Sequence, residues 1–196
     1  MIQISSGFFK GLKLKSPPST TRPSSERLRQ AIFNILRNYR WNLTQDSIPI
    51  LENATVIDLF AGSGAWGLEA LSNGAIECIL VENNKECFAI LSANAKLILS
   101  KKDDVSIQCI CKDAISMTAK LPVSRVVFCD PPYDKGFFKP CVDQLVANSC
   151  TENNGLFIYE AAEREEIEPE YALKADLKLF DRKNYGDSAV YFFVKR

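Results

Sequence analysis

Val56-Ile57-Asp58-Leu59-Phe60-Ala61-Gly62-Ser63-Gly64-Ala65-Trp66-Gly67 is an apolar, β-like run that stops at a glycine-rich turn and re-emerges in helix-forming residues. Glycines at such a turn let the chain bend sharply, and their missing β-carbons let the backbone come close to a ligand. Working outward from it, β-like runs over 55–60, 77–82, 105–109, 125–129 and 156–160 alternate with helix-like stretches over 65–72, 85–99 and between the last two runs. That alternation predicts a parallel, doubly wound α/β sheet. The last two runs, 177–180 and 189–194, are joined through Asn184-Tyr185-Gly186-Asp187 with no room for a helix, so they are expected to pair as an antiparallel hairpin. The expected fold is Rossmann-like: a mostly parallel sheet of seven strands closed by a C-terminal antiparallel hairpin.

Gly62, Gly64 and Gly67 also fit the dinucleotide-binding pattern, which by itself leaves the cofactor class open. Asp58 separates the readings. A carboxylate just before the turn suits a cofactor carrying an ammonium and a sulfonium, as in S-adenosyl-L-methionine (AdoMet), whereas it repels a pyrophosphate. Glu82, beside Asn83 at the end of the second run, fits an acid gripping ribose hydroxyls, which either cofactor class offers. Asp113, in Cys111-Lys112-Asp113-Ala114 after the third run, is placed to accept from an adenine amine. Singly these are a packing turn, a surface acid and a helix-capping aspartate. In this order, at the ends of successive strands where open α/β sheets bind ligands, they describe one cofactor site.

After the fourth run comes Asp130-Pro131-Pro132-Tyr133. The exocyclic amine of a nucleobase has a delocalised lone pair and two hydrogens that seek acceptors. Ionised Asp130 accepts without donating, the Pro131 carbonyl accepts, and two consecutive prolines remove two competing N–H groups. Tyr133 adds a flat ring for an extruded base, a contact worth roughly 1–3 kcal/mol per base elsewhere. The plain alternative is a strand that ends in a proline turn.

The chain has 196 residues, 46% hydrophobic and 24% charged, which suits one globular domain with at most an appendage. No apolar run approaches the roughly 20 residues of a membrane span, and Met1-Ile2-Gln3-Ile4 does not begin a secretory signal, so the expected location is the cytoplasm. Seven cysteines, mostly in apolar surroundings, read as buried free thiols. Cys109 and Cys111 have the wrong spacing for a zinc knuckle, and with no histidine in the chain no metal site is expected. The missing histidine also removes the commonest general base, a lack that methyl transfer from a sulfonium tolerates.

The zero net charge hides a division: residues 1–45 carry eight basic residues against the single acid Glu26, a balance of +7, and the remainder carries −7. A basic arm on an acidic body points to a polyanionic partner. Gly7 and Gly11 punctuate either a short hairpin or an extended arm, and Pro17, Pro18 and Pro23 exclude regular structure between them. A helix is expected from about Ser24, with Leu28, Ala31, Ile32, Ile35 and Leu36 on its apolar face and Arg27, Arg29, Asn34 and Arg37 elsewhere. Arg40 to Asn53 reads as an irregular connection. The expected organisation is an arm and helix over 1–45 and a catalytic domain over 54–196.

Three stretches together resemble the RsmD family: Asp58-Leu59-Phe60-Ala61-Gly62-Ser63-Gly64 with Gly67-Leu68-Glu69-Ala70-Leu71; Arg22-Pro23-Ser24-Ser25-Glu26-Arg27-Leu28-Arg29 with Phe33-Asn34-Ile35-Leu36; and Asp130-Pro131-Pro132-Tyr133. The likeness extends from Gly7 to the final strand. Members of that family are bacterial AdoMet-dependent enzymes that methylate a guanine N2 amine in 16S ribosomal RNA. The resemblance implies that Phe60, Ala61, Gly62, Ser63 and Gly64 hold the methionine part of the cofactor with Asp58. It implies that Glu82 and Asn83 hold the ribose, and Asp113 and Ala114 the adenine. Asp130, Pro131 and Tyr133 become the catalytic set, and Lys10, Lys13, Arg22, Arg27 and Arg29 the RNA-binding candidates. The implied partner is ribosomal RNA in a partly assembled small subunit, met by a monomer. Trp66 stands where the family has a smaller aliphatic residue.

The residues themselves specify an amine, not which base bears it. A DNA or RNA adenine or cytosine amino-methyltransferase could use the same carboxylates, although about 50 residues before the sheet leave little for a DNA-recognition region. A nicotinamide oxidoreductase would share the glycine turn but has no use for Asp130-Pro131-Pro132-Tyr133. A non-catalytic RNA-binding assembly factor has no reason to keep acids at 58, 82, 113 and 130.

Overall fold

The computed structural model describes residues 1–16, 26–41, 48–118 and 120–196, with Trp41 described by its main chain alone. The glycine-punctuated start is a hairpin: β1 (Ile2–Gln3) pairs antiparallel with β2 (Lys13–Leu14). Gly7 sits at φ 78, and a β-carbon there would lie 1.7 Å from the Ser72 carbonyl oxygen, so only glycine lets the arm press this closely.

Helix α1 (Glu26–Asn38) buries Leu28, Arg29, Ile32, Phe33 and Leu36, while Ala31 and Ile35 are half-buried. The buried face is therefore rotated from the expected one toward Phe33 and Arg29. Two long side chains explain the turn. Phe33 packs its ring 5.9 Å from Trp66 and 5.8 Å from Phe128, and Arg29 reaches a buried carboxylate, Glu69. A second correction concerns the stretch after it. Arg40 to Asn53 is not wholly irregular, because β3 (Arg40–Trp41) pairs antiparallel with β4 (Ile48–Pro49). Two-residue strands are too short for alternation to betray them.

The sheet domain follows as β5 (Thr55–Asp58), α2 (Ala65–Ser72), β6 (Glu77–Val81), α3 (Lys85–Leu99), β7 (Ser106–Ile110), β8 (Ser124–Cys129), α4 (Phe138–Asn148), β9 (Thr151–Ala162), a 3₁₀ turn at Pro169–Ala175, β10 (Leu177–Tyr185) and β11 (Ser188–Lys195). Strand order is β10-β11-β9-β8-β5-β6-β7. The five strands from β9 to β7 are parallel, and β11 and β10 add antiparallel, as expected from the helix-free ending. Asn184 and Tyr185 belong to β10 rather than to the turn. Tyr185 pairs with Ser188, which leaves Gly186 and Asp187 as a two-residue connection with Gly186 at φ 59.

Each face of the sheet carries a core. On one, Ile4, Phe9, Leu14, Leu28, Ile32, Phe33 and Leu36 join Val56, Leu68, Leu71 and Phe128 in one buried cluster, so the N-terminal residues pack into the same core as the sheet. On the other, Ile57, Val127 and Phe157 meet Phe138, Val142 and Leu145 of α4. Each fully buried side chain of this size contributes about 1.5–3 kcal/mol. Helix α2 is buried along its whole length, pressed between sheet and arm. A β-carbon on Gly67 would lie 2.4 Å from Cys78 Sγ and from Leu80 Cδ2, so a glycine there sets how closely α2 lies on β6. Five of the seven cysteines are buried as expected, whereas Cys109 is half-buried and Cys111 exposed at the end of the edge strand β7. Among the described residues no helix is long and apolar enough to cross a membrane.

Candidate active site

Strand order places β5 between β6 and β8, so the chain leaves β5 toward one side and returns as β8 on the other. Outside the carboxyl ends of two such strands lies the crevice in which doubly wound folds bind ligands. Asp58 ends β5 in register with Phe128 of β8, and Leu59 N–H donates to the Phe128 carbonyl at 3.0 Å. Asp130 follows two residues later. The expected carboxylates thus stand after four neighbouring strands: Asp58 on β5, Glu82 after β6, Asp113 after β7 and Asp130 after β8.

Asp58 is fully buried. Its Oδ2 accepts from Gly67 N–H at 3.3 Å, and its Oδ1 is buried with no hydrogen-bond partner. Desolvation pushes its pKa up to about 8, with the negative neighbours Asp130 and Glu82 adding to the rise and the Gly67 N–H opposing it.

The glycine turn is built around Glu82. Its Oε2 accepts from Gly62 N–H at 2.8 Å and its Oε1 from Asn84 N–H at 2.7 Å, while Ala61 N–H donates to the Val81 carbonyl at 2.9 Å. One side chain therefore ties the turn to the end of β6. Gly62, at φ 54, has nothing within 4 Å of the place a β-carbon would occupy, so the turn faces open space there. Gly64 at φ 85 starts α2 without any side-chain cap. The Asn84 side chain caps α3 by accepting from Glu86 and Cys87 N–H groups, both at 3.0 Å. Asn83 is exposed beside it.

Asp113 is exposed and structured as a local cap: Oδ1 accepts from Ile115 N–H at 3.0 Å and Oδ2 from the Ser116 hydroxyl at 2.9 Å. A carboxylate has about four lone-pair directions, so this capping leaves acceptor capacity for an incoming amine. Ala114 is buried behind it.

Around Asp130 the structure shows partners that sequence reading missed. Trp66 Nε1 donates to Asp130 Oδ2 at 3.4 Å, and its indole stacks on Phe128 at 5.5 Å with 25° between planes. The Tyr133 hydroxyl donates to Glu160 Oε1 and also pairs with Ser188 Oγ at 2.8 Å. Burial, followed by the charge of Glu160, raises the Tyr133 phenol well above its ordinary pKa, so it remains a donor. Glu160 is 3% exposed and follows the Cys129–Tyr159 pair on β9, one step beyond the register that Asp130 leaves on β8. A water-sized cavity of about 10 Å³ lies between Trp66, Asp130 and Glu160. An acid closing the apolar run Leu156 to Tyr159 was the available signal for Glu160. Phe137, whose ring meets Phe60 at 5.4 Å, carried no local signal.

The basic candidates divide. Lys10, Lys13 and Arg27 are exposed, and Arg22 lies outside the described residues. Arg29 is not a surface residue: it is 1% exposed, its Nε pairs with Glu69 Oε2 at 3.3 Å, and its Nη2 donates to the Gln3 carbonyl at 2.7 Å. The reason is Glu69, which is wholly buried on α2 and also accepts from the main chain and hydroxyl groups of Ser5 and Ser6. A buried carboxylate recruits the nearest cation, and α1 supplies Arg29.

The chain is similar to known proteins. The family model described as conserved hypothetical protein 95 matches residues 2–194. Ribosomal RNA small subunit methyltransferase D of Escherichia coli strain K12 is 32% identical over 162 residues, covering 82% of this chain and 74% of that protein. The solved Escherichia coli protein yhhF superposes with a TM-score of 0.77 at 27% identity, covering 100% of this chain and 98% of that one. A Thermus thermophilus 16S rRNA N2 G1207 methyltransferase, solved with AdoMet and guanosine, shares the fold at a TM-score of 0.64. It is 19% identical and covers 91% of this chain and 44% of that one.

Proposed function

Starting from the fact that this chain belongs to the conserved hypothetical protein 95 family, the family of RsmD, we propose that it is an AdoMet-dependent ribosomal RNA methyltransferase acting on the N2 amine of a guanine in 16S RNA. The observation that carries the reading is the convergence of Asp58, Glu82, Asp113 and Asp130 after four adjacent parallel strands, beside a glycine turn.

The residues fit the cofactor. The unpartnered, buried Oδ1 of Asp58 suits an ammonium, Glu82 already stands at the glycine turn where ribose hydroxyls would meet it, and Asp113 retains acceptor capacity for the adenine amine. When bound, AdoMet supplies an electrophilic methyl group. The protein's part is then mostly position. Asp130 and the Pro131 carbonyl accept the two N–H groups of the target amine and turn its lone pair toward that methyl. As the new N–C bond forms, the methyl would leave with its S–C electron pair staying on sulfur as a neutral thioether, and the Asp130 carboxylate would stabilise the positive charge that the nitrogen takes on. The surplus proton leaves the nitrogen through the same carboxylate to solvent, which restores a neutral amine. Trp66 holds one Asp130 oxygen, and Glu160 with Ser188 holds the Tyr133 ring on which the base would stack. The exposed Lys10, Lys13 and Arg27, with Arg22, would bind phosphates of an RNA presented by a partly assembled small subunit to a monomeric enzyme.

The decisive experiment is Asp130→Ala assayed on ribosomal RNA from cells lacking the protein, with products digested and weighed. The wild type should yield N2-methylguanosine. The variant should lose turnover while AdoMet affinity by calorimetry changes little. N6-methyladenosine in the wild-type digest would replace guanine by adenine, and full turnover by the variant would remove Asp130 from the chemistry.

A further inference from the structure

We infer that a second RNA contact lies at the end of the domain opposite the carboxylates, in a groove of about 430 Å³ lined by Phe8, Phe9, Lys10, Leu12 and Lys101. Phe8 is its stacking platform for an unpaired base, and Lys10 and Lys101 hold the neighbouring phosphates. The inference rests on the reading that the substrate is RNA.

Phe8 is 69% exposed, which alone means little, since single exposed apolar residues are common. What surrounds it gives the exposure a use. Its N–H donates to the Ser72 carbonyl at 2.7 Å, and Phe9 N–H to Ser72 Oγ at 2.9 Å, so the backbone beneath the ring is fixed to the end of α2. Phe9 is buried and meets the Phe8 ring edge-on at 5.0 Å. Lys102 Nζ stands 5.6 Å from the Phe8 ring centre, within cation–π range, while also pairing with Asp104 at 3.4 Å. Lys10 and Lys101 are exposed. An aromatic ring among lysines, over a shallow and open face, is how sequence-tolerant single-strand binders hold a base and its backbone.

The groove is also connected to the active-site end. Helices α2 and α3 start beside the carboxylates and end beside the groove, at Ser72 and just before Lys101, and the 15 residues of α3 make it about 22 Å long. The arm climbs back about a third of this distance, as far as Asn94 of α3. Lys10, Lys13 and Lys15 are all exposed, and at its top Lys15 N–H donates to Asn94 Oδ1 at 2.9 Å. The same Asn94, which is 1% exposed, donates to the Ser63 carbonyl of the glycine turn at 2.9 Å. The arm's main chain, with exposed Lys10, Lys13 and Lys15 on it, thus links the Phe8 groove to the glycine turn, and an RNA strand that follows the arm comes within reach of both.

The test measures binding of fluorescein-labelled single-stranded oligoribonucleotides, and of protein-free 16S RNA, to the whole protein with Phe8→Ala, Phe8→Tyr and Lys101→Ala. Phe8→Ala should weaken single-strand binding roughly tenfold and Phe8→Tyr should restore it, as expected for stacking. Lys101→Ala should lower the slope of log affinity against log salt by about 0.7. Unchanged AdoMet affinity and melting temperature show that the variants are folded. The inference is overturned if wild type binds and methylates RNA while Phe8→Ala and Lys101→Ala bind it equally well. If those variants fail only on assembled subunit particles, the groove holds a ribosomal protein and the RNA contact is wrong. A wild type that binds no RNA removes the RNA reading itself, and the groove's assignment with it.

Discussion

The indole N–H of Trp66, on the first turn of α2, donates to the carboxylate of Asp130, which follows β8, at 3.4 Å. The helix that begins at the glycine turn therefore touches the residue proposed to hold the substrate amine. Phe33 of α1 packs on the same indole at 5.9 Å, which joins the N-terminal helix to the pair. The indole thereby fixes one edge of the Asp130 carboxylate.

Replacing Trp66 by Phe keeps the stack on Phe128 and removes the donor. We predict that kcat falls about fivefold to tenfold, in line with a hydrogen bond to a charged group at long reach. AdoMet affinity and RNA KM should stay within about twofold, because neither depends on how Asp130 is aimed. Steady-state and single-turnover kinetics decide this, and a loss carried by KM alone would make Trp66 a packing residue only.

Asp58 should make the protein's stability and its cofactor affinity respond oppositely to pH. Its folded pKa of about 8 lies above the unfolded value of 3.8, so the folded state keeps a proton that the unfolded state gives up. The associated stability is fully present below pH 3.8 and is lost as pH rises through the folded value near 8. A bound ammonium favours the ionised form, so AdoMet affinity should rise between about pH 6 and 8 with release of a proton. Calorimetry in buffers of different ionisation enthalpy counts that proton. Asp58→Asn should raise the melting temperature of the free protein at pH 8, abolish the proton release and weaken AdoMet binding.

Arg29 and Arg27, two residues apart on α1, should behave as different kinds of residue. Arg29→Ala leaves the buried Glu69 without its cation and should cost about 3–5 kcal/mol of stability by denaturant unfolding. Arg27 is exposed, so Arg27→Ala should leave unfolding unchanged within about 0.5 kcal/mol and should flatten the salt dependence of RNA binding. Equal stability of the two variants would show that the buried pair does not anchor α1.

Tyr133→Phe keeps a ring for the base but removes the hydroxyl held by Glu160 and Ser188. We expect a loss of about 1–3 kcal/mol in stability from the weakened buried network and a modest rise in RNA KM. Tyr133→Ala should raise that KM about tenfold or more through lost stacking. If Phe and Ala behave alike in KM, the ring is not where the base stacks.

Much of this molecule is local information. Short apolar β-like runs, glycines at the strand-to-helix turn and acids at the ends of four strands are properties of short segments, and α2 and α3 lie over the stretches expected to be helical. The helix-free ending likewise dictated an antiparallel hairpin, because parallel pairing needs a crossover. Arg29 was misread for a definite reason. Helical spacing says which residues share a face, but not that a buried carboxylate on another helix will draw an arginine inward.

What only tertiary structure decided are the contacts between segments far apart in the chain: Trp66 on Asp130, Tyr133 on Glu160 and Ser188, Glu69 on Ser5, Ser6 and Arg29, and Asn94 between Lys15 and Ser63. None leaves a periodic trace, since each depends on strand order and on how deeply a helix sits on the sheet. Sequence alone determined which chemical groups stand at the ends of the strands. The packing of α1 and the arm onto α2, driven by burial of apolar side chains around one paired charge, decided how those groups are held and where a long RNA could lie.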